Sequence, residues 1–179
     1  MTRRAIIIGG AESALDDLES VRDLLSASYV ICVNDSGVDY PEPIHYWVTL
    51  HPEKMESWVN ARRSNGYDMD FCTVGFGSTV YGKRGVVDHH LPCWREGNIE
   101  GGASGSSGLF AVQVALSEGF TEIILCGVPM DSSKNRFRRK GWEASQGYRQ
   151  AWIDHLGKMK GKVYSQSGWT KELLGGYHG

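Results

Sequence analysis

Eight consecutive residues, Gly101 to Gly108, hold four glycines and three serines and run directly into an apolar stretch that begins at Leu109. Glycines let a backbone approach a ligand closely, serines cap helix starts, and a helix start offers unpaired N–H groups and a positive dipole end to an anion. The segment therefore reads as a phosphate or nucleotide site, with Ser106, Ser107 and Gly108 where the helix begins. A second small-residue turn, Gly9 to Ser13, closes the first apolar run. It lacks the GxGxxG spacing of a dinucleotide fingerprint, yet Gly9 and Gly10 still admit a phosphate, and Ser13 is either a helix cap or a ligand contact. Asn34, Asp35, His51, Asp131 and Glu143, with the run Asp88-His89-His90, are the other groups able to bind or move a proton. Lys134, Arg136, Arg138, Arg139 and Lys140 put five positive charges within seven residues, and Tyr148 and Arg149 follow as further phosphate contacts.

Positioning these groups requires strands and helices in alternation. The β-branched run "RAIIIGG" predicts a strand, and "ESALDDLESVRDLLSAS" a helix with Leu15, Leu18, Val21, Leu24 and Leu25 at helical spacing. "YVICVND" and "HYWVTLHP" predict two more strands, the second stopped at Pro52; "MESWVNARRS" predicts a helix and "DFCTVGF" a fourth strand. Residues 75–102 carry no clear periodicity. A buried helix over residues 108–118, a strand in "TEIILCGVP", a helix in "SQGYRQAWIDHLGKMK" and a last strand in "GKVYSQSG" complete the order. The pattern predicts an α/β fold with a mostly parallel sheet and helices on both faces. Ligands of such sheets bind outside the carboxyl ends of the strands, where Gly9, Asn34, His51, residues 127–131 and residues 165–168 should converge.

The length of 179 residues suits one domain, here residues 1–179 with a lid-like segment at about 132–150. A net charge of -2 provides no general field for nucleic acid, and the four-residue apolar start at Ala5 is too short for a signal or a membrane span. The expected compartment is the cytoplasm. Cys32, Cys72, Cys93 and Cys126 stand singly and read as reduced core thiols, and Trp142 and Trp152 as core or lid packing. A second copy covering a sheet edge would make the protein a homo-oligomer.

The segment "SGLFAVQVALSEGFTEIILCGVPMD" resembles the core of the bacterial CMP-sialic-acid-dependent sialyltransferases and of the related motility-associated glycosyltransferase and 6-hydroxymethylpterin pyrophosphokinase-like proteins. The resemblance extends over "IIIGGAESALDDL", "VICVND", "YWVTLHPEKM" and "KVYSQSGWTKELL", in the same order. It implies a Rossmann-like single sheet and a nucleotide or nucleotide-sugar ligand: Ser107 on its phosphate or ribose, Asn34 on the base or donor, and Gly9, Gly10 and Ser13 along the phosphate side. Departures are Gly10, Glu12 and His51 in place of the family's residues, and an aspartate that comes only at Asp131 after Gly127, Val128 and Pro129. Counting back from the last strand places Glu143 near that family's histidine general base, so Glu143, His51 and His90 are the candidates to activate an acceptor.

The first expectation is a glycosyltransferase-like enzyme with no resident metal or other cofactor. The alternative is a pterin pyrophosphokinase-like phosphoryl transfer, with Mg²⁺ held by Asp131 or Asp35. The third is a nucleotide-binding module without turnover. "VVDHHLP" resembles the DHH phosphoesterases, but the early Asp-x-Asp which those enzymes need is lacking.

Overall fold

The computed structural model describes residues 2–67, 74–78, 85–94, 106–137, 139–141 and 143–178. Cys72, Gly101, Gly102, Gly105, Arg138 and Trp142 lie outside the described residues, as do the first residues of the expected fourth strand. The strands are β1 (Arg4–Ile8), β2 (Tyr29–Val33), β3 (Tyr46–Thr49), β4 (Val74–Gly77), β5 (His89–His90), β6 (Glu122–Cys126) and β7 (Val163–Ser165). They form one sheet in the order β5-β4-β3-β2-β1-β6-β7, and every neighbouring pair is parallel. The chain thus builds outward from β1 in one direction, then returns to lay β6 on the other side of β1. This is a doubly wound, Rossmann-like sheet, and the two sides part at the carboxyl ends of β1 and β6.

Successive residues of a strand face opposite ways, and β1 buries both. Ala5 and Ile7 join Ile31, Val33, Ile123 and Leu125 on one face; Ile6 and Ile8 join Val30, Cys32, Ile124 and Cys126 on the other. The first face is covered by α4 (Ser107–Ser117), with α5 (Arg149–Asp154) and α6 (Leu156–Met159) beside it through Trp152 and Met159. All residues of α4 from Ser107 to Ala115 are buried, as its unbroken apolar character requires. The second face takes α1 (Ala14–Ser20), α2 (Arg22–Leu25) and α3 (Met55–Ser64). Cys32 and Cys126 are free, buried thiols and Cys93 is free and half-buried; burial pushes Cys32 up to about 12 and Cys126 also upward.

Two helices differ from expectation. The first breaks at Val21 (φ -124°) and turns Ala14, Asp17, Leu18 and Val21 inward, leaving Leu15 66% exposed. The long helix over residues 145–160 is instead a 3₁₀ turn (Glu143–Tyr148) followed by α5 and α6, parted at His155. Gly147 and Gly157 weaken that helix, and the His155 ring stacks on Trp94 at 4.7 Å. A further helix, α7 (Gly168–Leu174), follows β7. The edge at β7 is occupied by the chain itself: the Ser165 N–H donates to Gly175 O at 3.0 Å, and the Tyr177 ring packs on Tyr164.

Entry into β3 depends on His45. The Val30 N–H donates to His45 Nδ1 at 3.0 Å, and the His45 N–H to Val30 O at 2.9 Å. Burial holds the imidazole below its ordinary value of 6.5, and only the neutral ring keeps Nδ1 as an acceptor. The unfolded chain therefore takes up this proton at higher pH than the folded one, so the contribution is complete above about 6.5 and is lost as the pH falls below it. The urea midpoint should drop between pH 7.5 and pH 5, and by less in His45→Asn, which retains an acceptor that does not titrate. An equal drop in both proteins would remove His45 from this role.

Candidate functional site

A cleft of about 670 Å³ opens at the carboxyl edge of the sheet, where β1 and β6 end side by side. Gly9 and Gly127 form its floor, and their backbones come closer than side chains would permit. A Cβ on Gly9 would lie 2.1 Å from Gly127 O, and one on Gly127, whose φ is +70°, would lie 2.5 Å from Ala14 Cβ. The Gly9 N–H donates to Cys126 O and the Ala11 N–H to Gly127 O.

Asp17 braces this junction from below. The residue is 6% exposed, and its carboxylate accepts from the Gly127 N–H at 2.8 Å, from Ser167 Oγ at 2.6 Å and from Ser13 Oγ at 3.4 Å. Ser13 lies outside the cleft lining, with its hydroxyl 3.0 Å from Ser167 Oγ.

The start of α4 forms one wall. Ser106 is the cap: its Oγ accepts from the Leu109 N–H at 3.2 Å and from Trp152 Nε1 at 3.2 Å. Ser107 Oγ accepts from the Leu50 N–H at 3.4 Å. The N–H groups of Ser107 and Gly108 have no acceptor within the helix, and both residues line the cleft. The lining also takes in Asn34, Asp35, His51 and Asp131, with the exposed, ammonium-bearing Lys54 and Lys140. Neither lysine has an ion-pair partner among the described residues.

Two lining residues adopt left-handed backbone, Asn34 (φ 54°) and Met130 (φ 51°). For a buried methionine this is a costly conformation, and such strain persists only where neighbours enforce it. In both cases a side chain holds the carbonyl: Trp47 Nε1 donates to Asn34 O at 2.6 Å, and Arg149 Nε to Met130 O at 2.9 Å. The guanidinium of Arg149 in turn sits over the Trp169 ring at 4.8 Å, outside the cleft lining.

The basic segment lies across the first turn. The Arg136 N–H donates to Gly10 O, the Glu12 N–H to Lys134 O, and Asn135 pairs with Ala11 in an antiparallel bridge. Arg136 also pairs with Asp39 at 2.6 Å; burial nevertheless pushes the Asp39 carboxyl up, against the opposing pull of that guanidinium. Asn135, Lys140, Gly141 and Tyr148 face the cleft from this segment.

Of the expected residues, Gly9, Gly10, Asn34, His51, Ser106, Ser107, Gly108 and Asp131 thus line one cleft. Glu143 is exposed on the 3₁₀ turn outside the lining, and His90 is exposed on the edge strand β5. Asp88 beside it accepts from the Gly75 N–H at 2.6 Å and so pairs strand edges. Lys54 and Asn135 escaped sequence reasoning; the position of Lys54 just past the Pro52 stop of β3 was the available signal. Asp35 and Asp131 both line the cleft, and among the described residues no group of three or more His, Cys, Asp or Glu is placed to hold a metal ion. No helix among the described residues is long and apolar enough to cross a membrane.

The Rossmann-like class of the fold is shared with solved glycosyltransferases. The MAf glycosyltransferase from Magnetospirillum magneticum AMB-1 superposes with a TM-score of 0.57 at 15% identity, over 93% of this chain and 33% of that one. The sialyltransferase CstII from Campylobacter jejuni, solved with the substrate analogue CMP-3FNeuAc, superposes with a TM-score of 0.57 at 16% identity, over 99% of this chain and 89% of that one. The chain thus spans about a third of the length of the first, and at these identities the likeness is one of fold. No protein-family model and no curated protein sequence matches the chain.

If Asp17 braces the cleft floor, Asp17→Ala strands the buried Gly127 N–H and lowers stability by about 1–3 kcal/mol. Asp17→Asn keeps one acceptor oxygen and should recover part of the loss. Urea titration of the three proteins checks this, and a wild-type midpoint for Asp17→Ala would mean that the floor holds without the carboxylate.

Proposed function

We propose that the cleft binds a nucleotide-activated sugar and that the protein transfers the sugar to an acceptor hydroxyl. The observation that carries this reading is the start of α4, whose Ser107 and Gly108 N–H groups have no acceptor within the helix, in one cleft with the Gly9-Gly10 turn at the carboxyl ends of β1 and β6. Lys54 and Lys140 in its lining favour an anion, and about 670 Å³ lies within the range of small-ligand sites. The shared fold with two glycosyltransferases supports the reaction class, and the CMP-sugar analogue seen with CstII makes a CMP-sugar the first donor to test.

In this reaction the acceptor oxygen bonds to the anomeric carbon as the bond from that carbon to the donor's phosphate oxygen breaks. The nucleotide leaves with the electron pair. The Ser107 and Gly108 N–H groups and the two lysines stabilise the charge gathering on the phosphate. We assign the acceptor's proton to His51, which lines the cleft, in preference to Glu143 and His90, which do not.

Thermal melting with CMP, CDP, UMP, UDP, GDP, ATP and NAD tests the binding step. A selective ligand at a hundred times its dissociation constant should stabilise the protein by about 2.7 kcal/mol. Ser107→Asp, which sets a carboxylate against the phosphate, should abolish the effect. No stabilisation by any of them would overturn the nucleotide reading.

His51→Ala separates binding from turnover. Release of CMP from a CMP-sugar, with water as acceptor, should slow by about 10²–10⁴-fold. Stabilisation by CMP should persist. Unchanged release would remove His51 as the base.

A further inference from the structure

Thr49, at the end of β3, is fully buried and touches two parts of the cleft at once. Its Oγ1 accepts from the His51 N–H at 2.8 Å and donates to Asn34 Oδ1 at 2.8 Å. The hydroxyl carries a single proton, and Asn34 Oδ1 is the acceptor for it. Were the Asn34 amide turned over, its NH₂ would face Thr49 Oγ1 and the buried hydroxyl proton would have no acceptor, an expensive arrangement. The backbone of Asn34 is fixed as well, in the left-handed region, with its carbonyl held by Trp47 Nε1. Carbonyl and amide oxygen are therefore both engaged on the protein side. The NH₂ is the group that Asn34 has for a ligand, and Asn34 donates no hydrogen bond to a described residue.

We infer that Thr49 is a positioning residue that sets Asn34 as a hydrogen-bond donor to the cleft, so that the ligand must bring an acceptor oxygen there: a phosphate, carboxylate or carbonyl. This rests on the proposed ligand site and specifies the chemistry which that site selects. The same hydroxyl fixes the backbone at His51, so one buried group sets both the Asn34 amide beyond the end of β2 and the turn that carries His51.

The amide orientation is tested first in the ligand-free protein by NMR, with the Asn34 side-chain resonances identified by their loss in Asn34→Asp. Both Asn34 amide protons should exchange rapidly with water. The Asn34 carbonyl carbon should move upfield in Thr49→Val and return in Thr49→Ser. A protected Asn34 amide proton that becomes fast in Thr49→Val would overturn the inference.

Calorimetric titration with CMP tests the ligand half. Thr49→Val should bind about 3- to 10-fold more weakly, as loss of one well-oriented hydrogen bond implies, and Thr49→Ser within about twofold of wild type. Asn34→Asp, which presents an acceptor in place of the donor, should bind at least about tenfold more weakly. A purely structural Thr49 would lower the melting temperature of Thr49→Val and leave the affinity unchanged, which would overturn the selection role. Failure of CMP to bind wild type would strike the nucleotide reading and the ligand half with it, while the free-protein spectra decide the amide orientation by themselves.

Discussion

The backbones of Gly9 and Gly127 touch where β1 and β6 end, and most of the cleft is arranged around that contact. A side chain at either position would drive β1 from β6 or α1 from the sheet. Because the two strands close up there, Val128 comes within reach of Gly108, where a Cβ would lie 2.6 Å from Val128 Cγ1, and the start of α4 is drawn to the same point. Floor and wall of the cleft thus share one steric condition, the absence of side chains at three places. Asp17 adds a polar condition by taking up the Gly127 N–H that the tight turn leaves unpaired.

A second layer of constraint keeps the rim polar without letting it relax. Asn34 and Met130 hold conformations that an isolated chain would avoid, and each is held through its carbonyl by a large side chain from another element. Trp47 and Arg149 do not face the ligand volume themselves. They convert packing on both faces of the sheet into fixed backbone directions at the strand ends, which is how a soft polar loop becomes a pre-organised surface. The Lys134 to Gly141 segment has the same effect from above, because its backbone is bonded to the first turn at Gly10 and Glu12.

Much of the fold was legible from local pattern. α3 has the bounds of the segment "MESWVNARRS", since Pro52 stops the strand before it and a polar, amphipathic run follows; α4 begins within one residue of its expectation because it is apolar all round. The strand-end rule brought Gly9, Asn34, His51 and residues 127–131 to one cleft, while residues 165–168 lie outside its lining, where Ser167 pairs with Asp17 and Ser13. Long-range partners were not legible. Asp17 sits on a helix that spacing alone turns toward Leu15, and its burial depends on a glycine 110 residues later. Ser13 is drawn to Ser167, 154 residues away. Glu143 was located by counting across an irregular segment, where residue number does not translate into position.

The sheet order has a consequence for how the protein is made. β1 is made before the other six described strands of the sheet, and it pairs with β2 across a short stretch of chain that holds α1 and α2. Its other edge waits for β6, in which Arg4 lies opposite Glu122, 118 residues further on. Until that strand emerges, Ile6 and Ile7 belong to an open, apolar edge with nothing beside it, and parallel pairings across such distances close slowly. The strand that anchors the finished cleft thus keeps one edge unpaired until β6 has been made.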